Sequence, residues 1–179
     1  MSGLFDKLLG KDIATRVQNI QYLGNLDSET SIPKLIKALD DGSVEIRRAA
    51  SSALEQHYRT GDKNSIIALM KLLNDTDAEV RKNAALGLSE FTTGSRDAEL
   101  RASAKKDLIK HLEKENEESV MKSIVVGLAI IQDTALTGPM IEAFKPKGKK
   151  TISMAIDAIN DLPSTEIRLE MKKALRSIL

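Results

Sequence analysis

The sequence predicts an all-α fold built as a stack of repeats, and three observations carry that reading. The stretch Asp41 to Leu54, DGSVEIRRAASSAL, returns 34 residues later as Asp75 to Leu88, DTDAEVRKNAALGL. The second copy keeps the Asp, the acidic residue four on, the Arg six on and the closing Leu. Self-similarity at a fixed period of this size marks stacked supersecondary units, not one closed core. Apolar residues recur at helical spacing along nearly the whole chain. Finally, 41% of residues are apolar and 30% charged, but only 3% are aromatic and none is Trp. That mix suits helices packed through small and aliphatic side chains.

The elements follow in order. Leu4, Phe5, Leu8 and Leu9 stand at helical spacing in residues 1–11, which read as an amphipathic cap on the first repeat. Asp12 is placed to N-cap a helix reaching Leu26, with Ile13, Val17, Ile20 and Leu23 as its inward stripe. Asp27 to Thr30 reads as a turn. Pro33 then sits in the first turn of a short helix ending at Leu39, where its missing N–H costs little. Asp40-Asp41-Gly42 is a loop signal. Ser43 to Arg59 is a helix with Ile46, Ala49, Ala50, Ala53 and Leu54 inward, broken by Gly61. The pattern then repeats as a short apolar helix, Ser65 to Leu73, a loop at Asn74 to Asp77, and a longer helix, Ala78 to Phe91.

The remaining repeats are more divergent. Arg96 to Lys114 is amphipathic through Leu100, Ala104, Leu108, Ile109 and Leu112. After an acidic turn, Glu118 to Gln132 is apolar nearly all round. Ala135 to Phe144, a basic loop Lys145 to Lys150, and Thr151 to Asp161 form the next unit. Pro163 stops it, and Ser164 can N-cap a last helix with Ile167 and Leu169 leading to Ala174, Leu175 and Ile178. In all, about ten helices form four hairpins plus a leading helix. The chain reads as one domain, with 12–91 regular and 92–179 divergent.

Asp41 with Ile46-Arg47, Asp75 with Val80-Arg81, and the short helix Pro33 to Leu39 resemble HEAT-like repeats of the kind found in phycobilin-lyase subunits. The resemblance implies an α-α superhelix with the second helix of each pair on the concave side, and binding more often than catalysis. The Asp–Arg spacing also has its own physical reason. Asp41 and Asp75 can accept backbone N–H groups at the next helix start. Arg47 and Arg81 can then bridge along the stack to a neighbouring Asp with a fork that Lys cannot copy. Met121 and Ile152 stand at the later Arg positions, and Glu115 and Pro146 at the later Asp positions, so this ladder is expected to fade.

Chemistry is sparse. There is no Cys, which excludes disulfides, thiol catalysis and Cys-type metal sites. The two histidines, His57 and His111, lie in different repeats without HxxxH or HExxH spacing. GxSxG, GxGxxG and P-loop patterns are absent. No metal or cofactor is expected. Net charge is +1, with +3 over 141–179 and −2 over 1–140, so no global field selects nucleic acid. The dense basic patch is Lys145, Lys147, Lys149 and Lys150, a candidate phosphate-binding loop. No apolar run spans a bilayer and no signal-peptide pattern stands at the start; a cytoplasmic protein is expected, with membrane binding disfavoured.

The favoured reading is therefore a non-enzymatic scaffold that binds another protein through its concave face. The residues expected there are Arg48, Ser52, Glu55, Lys82, Leu86, Val125, Val126 and Ala129, grading from polar to apolar. A homodimer would use the same apolar stripe. The alternatives are nucleic-acid binding through 145–150 and an accessory subunit of a lyase-type enzyme.

Overall fold

The computed structural model describes residues 12–163 and 165–179. The proposed cap over 1–11 and the proposed N-cap Ser164 lie outside the described residues. Ten α-helices are present among the described residues: α1 Ile13–Leu23, α2 Ser28–Leu39, α3 Val44–Glu55, α4 Lys63–Leu72, α5 Ala78–Gly94, α6 Ala98–Lys114, α7 Glu118–Ile131, α8 Thr137–Phe144, α9 Gly148–Asn160 and α10 Glu166–Arg176. No strand occurs among the described residues.

Aspartates start half of these helices. Asp12, Asp27, Asp62, Asp77 and Asp97 each accept a backbone N–H from the residue three on, as does Thr165 at α10. These side chains satisfy amides that the helix itself leaves unpaired. Asp27 therefore opens α2 where a turn was expected, and Pro33 falls at its sixth residue.

The helices form two rows. One holds α1, α3, α5, α7 and α9; the other holds α2, α4, α6, α8 and α10. The first row packs more closely, so the stack bends toward it and those helices line the concave side. Between the rows runs one apolar core that includes Leu35, Ile46, Leu69, Val80, Phe91, Leu108, Ile124, Leu128 and Phe144.

Close approach within the inner row depends on glycine. A Cβ on Gly127 of α7 would stand 2.1 Å from Ser89 Oγ and 3.2 Å from the Ala85 carbonyl of α5. A Cβ on Gly24, at the end of α1, would lie 3.2 Å from the Ala53 carbonyl of α3. Small residues on both sides let the two backbones touch.

Further expectations are corrected. The helix from Ser43 ends at Glu55, and Tyr58–Thr60 forms a separate 3-10 turn. The basic stretch 145–150 is not a loop: Lys145–Lys147 is a 3-10 turn, and Lys149 and Lys150 lie in the first turn of α9. Gly148, with φ +79°, makes the bend between them. Ile13 is 48% exposed and Leu169 53% exposed, so neither is in the core. In α10 the buried face is instead Arg168, Met171 and Leu175. Arg168 Nε donates to the Ala129 carbonyl at 3.3 Å, and its Nη1 donates to the Pro163 carbonyl. This guanidinium rotates the helix so that Leu169 faces outward.

The contact at Gly127 can be measured. Alanine there gains about 1 kcal/mol of helix propensity but overpacks a rigid interface at a cost of about 1–3 kcal/mol. Gly127→Ala is expected to lower the urea midpoint. Gly138→Ala in α8, where nothing lies within 4 Å, is expected to leave it unchanged or raise it.

Candidate interaction surface

The ladder positions hairpin on hairpin. Arg47 Nε and Nη2 donate to Asp75 at 2.7 and 3.0 Å, while its Nη1 donates to the Asp41 and Gly42 carbonyls at 3.0 and 3.3 Å. Asp75 Oδ1 in turn accepts the Asp77 N–H at 2.9 Å. Arg81 repeats the arrangement one layer on, with its fork on Glu115 at 2.8 and 3.1 Å and Nη1 on the Asp75 and Thr76 carbonyls. Arg16 supplies the first rung to Asp41. Each arginine thus reaches the acid of the following loop, as the spacing predicts.

Two rungs escaped the sequence reading. Arg16, which the Asp–Arg spacing of the two copies does not include, pairs with Asp41. Glu115 stands at an Asp position where the ladder is expected to fade, yet its longer side chain accepts the same fork. Beyond it the expected fading holds: Met121 and Ile152 are buried and apolar, and no further Arg–carboxylate fork joins loops among the described residues. Lys147 compensates in part, donating from Nζ to the Glu115 carbonyl at 2.8 Å and the Glu113 carbonyl at 3.2 Å.

Burial opposes these carboxylates and the cations overcome it. Desolvation alone would raise Asp75 and Glu115, but the facing guanidinium and loop N–H groups hold both below the ordinary range. The fork from Arg48, at 2.8 and 2.5 Å, lowers Asp77 to about 2. Burial lowers Lys147, against the pull of Glu115.

The concave positions divide sharply. Val125 and Ala129 are fully buried between helices and offer no surface, which corrects their assignment to the groove. Arg48, bonded to Asp77, and Lys82, bonded to Glu79 at 2.5 Å, have their charges committed within the chain. Ser52 is exposed, and Leu86 and Val126 are partly so. Ile130, one turn beyond Val126, joins them; its i, i+4 spacing from Val126 is the signal that could have found it. Glu55 and Glu90 are half-buried. Burial raises both, and the charge of Glu55 pushes Glu90 up further. Of the basic patch, Lys145 bonds Glu142 at 2.6 Å and Lys150 stands 3.8 Å from Glu118; Lys149 is exposed.

The HEAT-repeat family matches residues 1–89 and, in a second register, 34–107. This chain is a HEAT-repeat protein. No curated protein matches it. Among solved structures, a designed armadillo repeat protein is 20% identical with a TM-score of 0.60, covering 99% of this chain and 98% of its own. A second, solved with the peptide (KR)4, is 21% identical with a TM-score of 0.59, covering 97% and 80%. The complex of CpcE and CpcF of phycocyanin lyase from Nostoc sp. PCC7120 is 14% identical with a TM-score of 0.47, covering 100% and 95%. The likeness to the designed proteins is one of fold.

The HEAT-repeat protein also has clefts between outer helices. One of about 700 Å³ separates α2 and α4, lined by Ile32, Pro33, Ile36 and Ile67. At its edge Ser28 Oγ lies 3.0 Å from His57 Nδ1. The other ring nitrogen, Nε2, faces the Leu23 carbonyl at 3.4 Å. A carbonyl only accepts, so Nε2 carries the proton and Nδ1 accepts from the serine. The imidazole is buried, and no carboxylate among the described residues orients it. It ties α1, α2 and the end of α3 together. No group of three or more metal-ligating His, Cys, Asp or Glu side chains occurs among the described residues.

Adjacent arginines separate structural from superficial pairing. Arg47 and Asp75 are 15% and 8% exposed, whereas the Arg48 side chain is 48% exposed. Removing one partner of a largely buried pair costs about 3 kcal/mol, and an exposed pair contributes about 0–1 kcal/mol. Arg47→Ala is expected to lower urea stability far more than Arg48→Ala, and Arg47→Lys to recover only part because it lacks the fork.

The depressed carboxylates set the acid response. Their native pKa values lie below the ordinary 3.8 for Asp75 and Asp77 and 4.5 for Glu115. Their contribution is therefore full above those values and falls away as pH drops toward about 2, where Asp77 takes up its proton. Glu55 and Glu90, being raised, act in the opposite sense and favour folding as they protonate. Melting temperature measured between neutral pH and this acid range is expected to fall in wild type, and to fall less in Arg47→Ala.

Proposed function

We propose that this HEAT-repeat protein is a non-enzymatic scaffold that binds a partner protein or peptide along the concave face formed by α3, α5, α7 and α9. One observation carries the reading. Leu86, Val126 and Ile130 are partly exposed and stand outside the packed apolar core, although their helices are otherwise densely buried. They fall on equivalent turns of neighbouring inner helices, so they share one floor. An apolar floor in an open groove suits a side-chain face from another chain. The designed relative solved with (KR)4 supports peptide capture as a use of this architecture.

No helix among the described residues is long and apolar enough to cross a membrane, and a cytoplasmic site of action goes with this reading. Affinity capture from the source cell, with wild type and Val126→Asp side by side, tests it. Val126 is only partly buried, so circular dichroism is expected to show an unchanged fold. A protein retained by wild type and lost by the variant is the expected result. A wild-type homodimer that the variant dissociates in light scattering would identify a second copy as the occupant. Identical recovery and identical mass for both proteins would remove this face from consideration.

A further inference from the structure

The apolar floor does not stand alone; acids bracket it. Leu86 and Glu90 are i and i+4 on α5, so they share a face. Val126 and Ile130 occupy the equivalent turns of α7, and Asp157 and Asp161 those of α9. Ser52 and Gln56 are their counterparts on α3, where Glu55 lies beside them. Read across the inner row, the surface passes from Glu55 and Glu90, over Leu86, Val126 and Ile130, to Asp157 and Asp161.

The cations on this side are already engaged. Arg48 is bonded to Asp77 and Lys82 to Glu79, and Lys122 stands 3.8 Å from Asp161. Elsewhere along the stack, Asp41, Asp75 and Glu115 each meet an arginine within the chain. No cation stands within ion-pair distance of Glu55, Glu90 or Asp157 among the described residues. Glu55 and Glu90 moreover sit where water is partly excluded and repel each other. Such carboxylates are left for a charge from outside.

We infer that the groove takes a partner segment whose apolar side chains cover Leu86, Val126 and Ile130 and whose flanking Lys or Arg side chains meet Glu55 and Glu90 at one end and Asp157 at the other. This rests on the concave-face reading and adds the chemistry of the occupant. Adjacent packed helices lie about 8–10 Å apart, so α5 to α9 spans about 20 Å. A helix rising about 1.5 Å per residue covers that in about 13 residues. The apolar contacts supply affinity, and the carboxylates select the sign of charge at the ends.

Three peptides and three proteins test this by fluorescence anisotropy. The probe is the amphipathic peptide LKKLLKKLLKKL; the controls replace every Lys by Glu, or every Leu by Ser. The proteins are wild type, Glu55→Gln/Glu90→Gln and Val126→Asp. Wild type is expected to bind the Lys/Leu peptide at least about tenfold more tightly than either control. The double variant is expected to lose about tenfold in affinity at low salt and to show a flatter salt dependence. Equal binding of the Lys/Leu peptide by wild type and the double variant overturns the inference. Lys/Leu and Glu/Leu peptides that bind equally, and are both lost in Val126→Asp, also overturn it while leaving the concave-face reading standing. Failure of every peptide to bind overturns the inference too, and the capture experiment with Val126→Asp then judges the groove on its own.

Discussion

A guanidinium in this stack bonds on two sides at once. One edge of Arg47 holds the carbonyls of the loop that precedes its own helix, and the other edge holds the carboxylate of the next loop. The same carboxylate braces its own turn through a backbone N–H. Loop is thereby locked to loop, at a spacing set by one rigid planar group. Everything on the concave side inherits that spacing. If the rungs slipped, the inner helices would lose the register that aligns one layer with the next.

Close packing of the inner row is the second constraint, and it shapes the surface as well as the core. Gly127 lets α7 lie against Ser89 and Ala85, and Gly24 does the same for α1 against Ala53. With the backbones this near, most apolar side chains of α7 are consumed by contacts with α5 and α9. Val126 and Ile130, one turn apart, stay partly open, as does Ile131 at the helix end, which packs against the core. The groove floor is therefore a remainder left by efficient packing, and its chemistry is determined by which residues occupy those positions.

The architecture was legible because its requirements are strict in register. A 34-residue period with Asp and Arg at fixed offsets has few other physical explanations, and the arginine-to-next-acid connection followed from it. What escaped has physical reasons too. Glu115 was misjudged because an extra methylene was read as a break, when the fork tolerates it. In a helix apolar on all sides, periodicity cannot say which stripe faces a neighbour; Val125 and Val126 differ by one position, yet one is buried and the other is not. The orientation of α10 turned on Arg168 reaching a carbonyl some 39 residues away, which no local pattern encodes. The burial of His57 against Ser28 was equally invisible, since its partners come from two other helices.

The ladder stops at Glu115, and this leaves the array with two kinds of cohesion. Toward the N-terminal side, layers are joined by forks between fixed charges; toward the other, Met121 and Ile152 fill the same positions with hydrocarbon. Hydrocarbon contacts weaken on cooling, while charge pairs do not share that dependence. In a linear array each layer holds chiefly to its neighbours, so local opening need not be uniform along its length. Acid that protonates Asp75 and Glu115 therefore acts directly on the rungs that join the N-terminal layers, whereas Met121 and Ile152 carry no proton to gain.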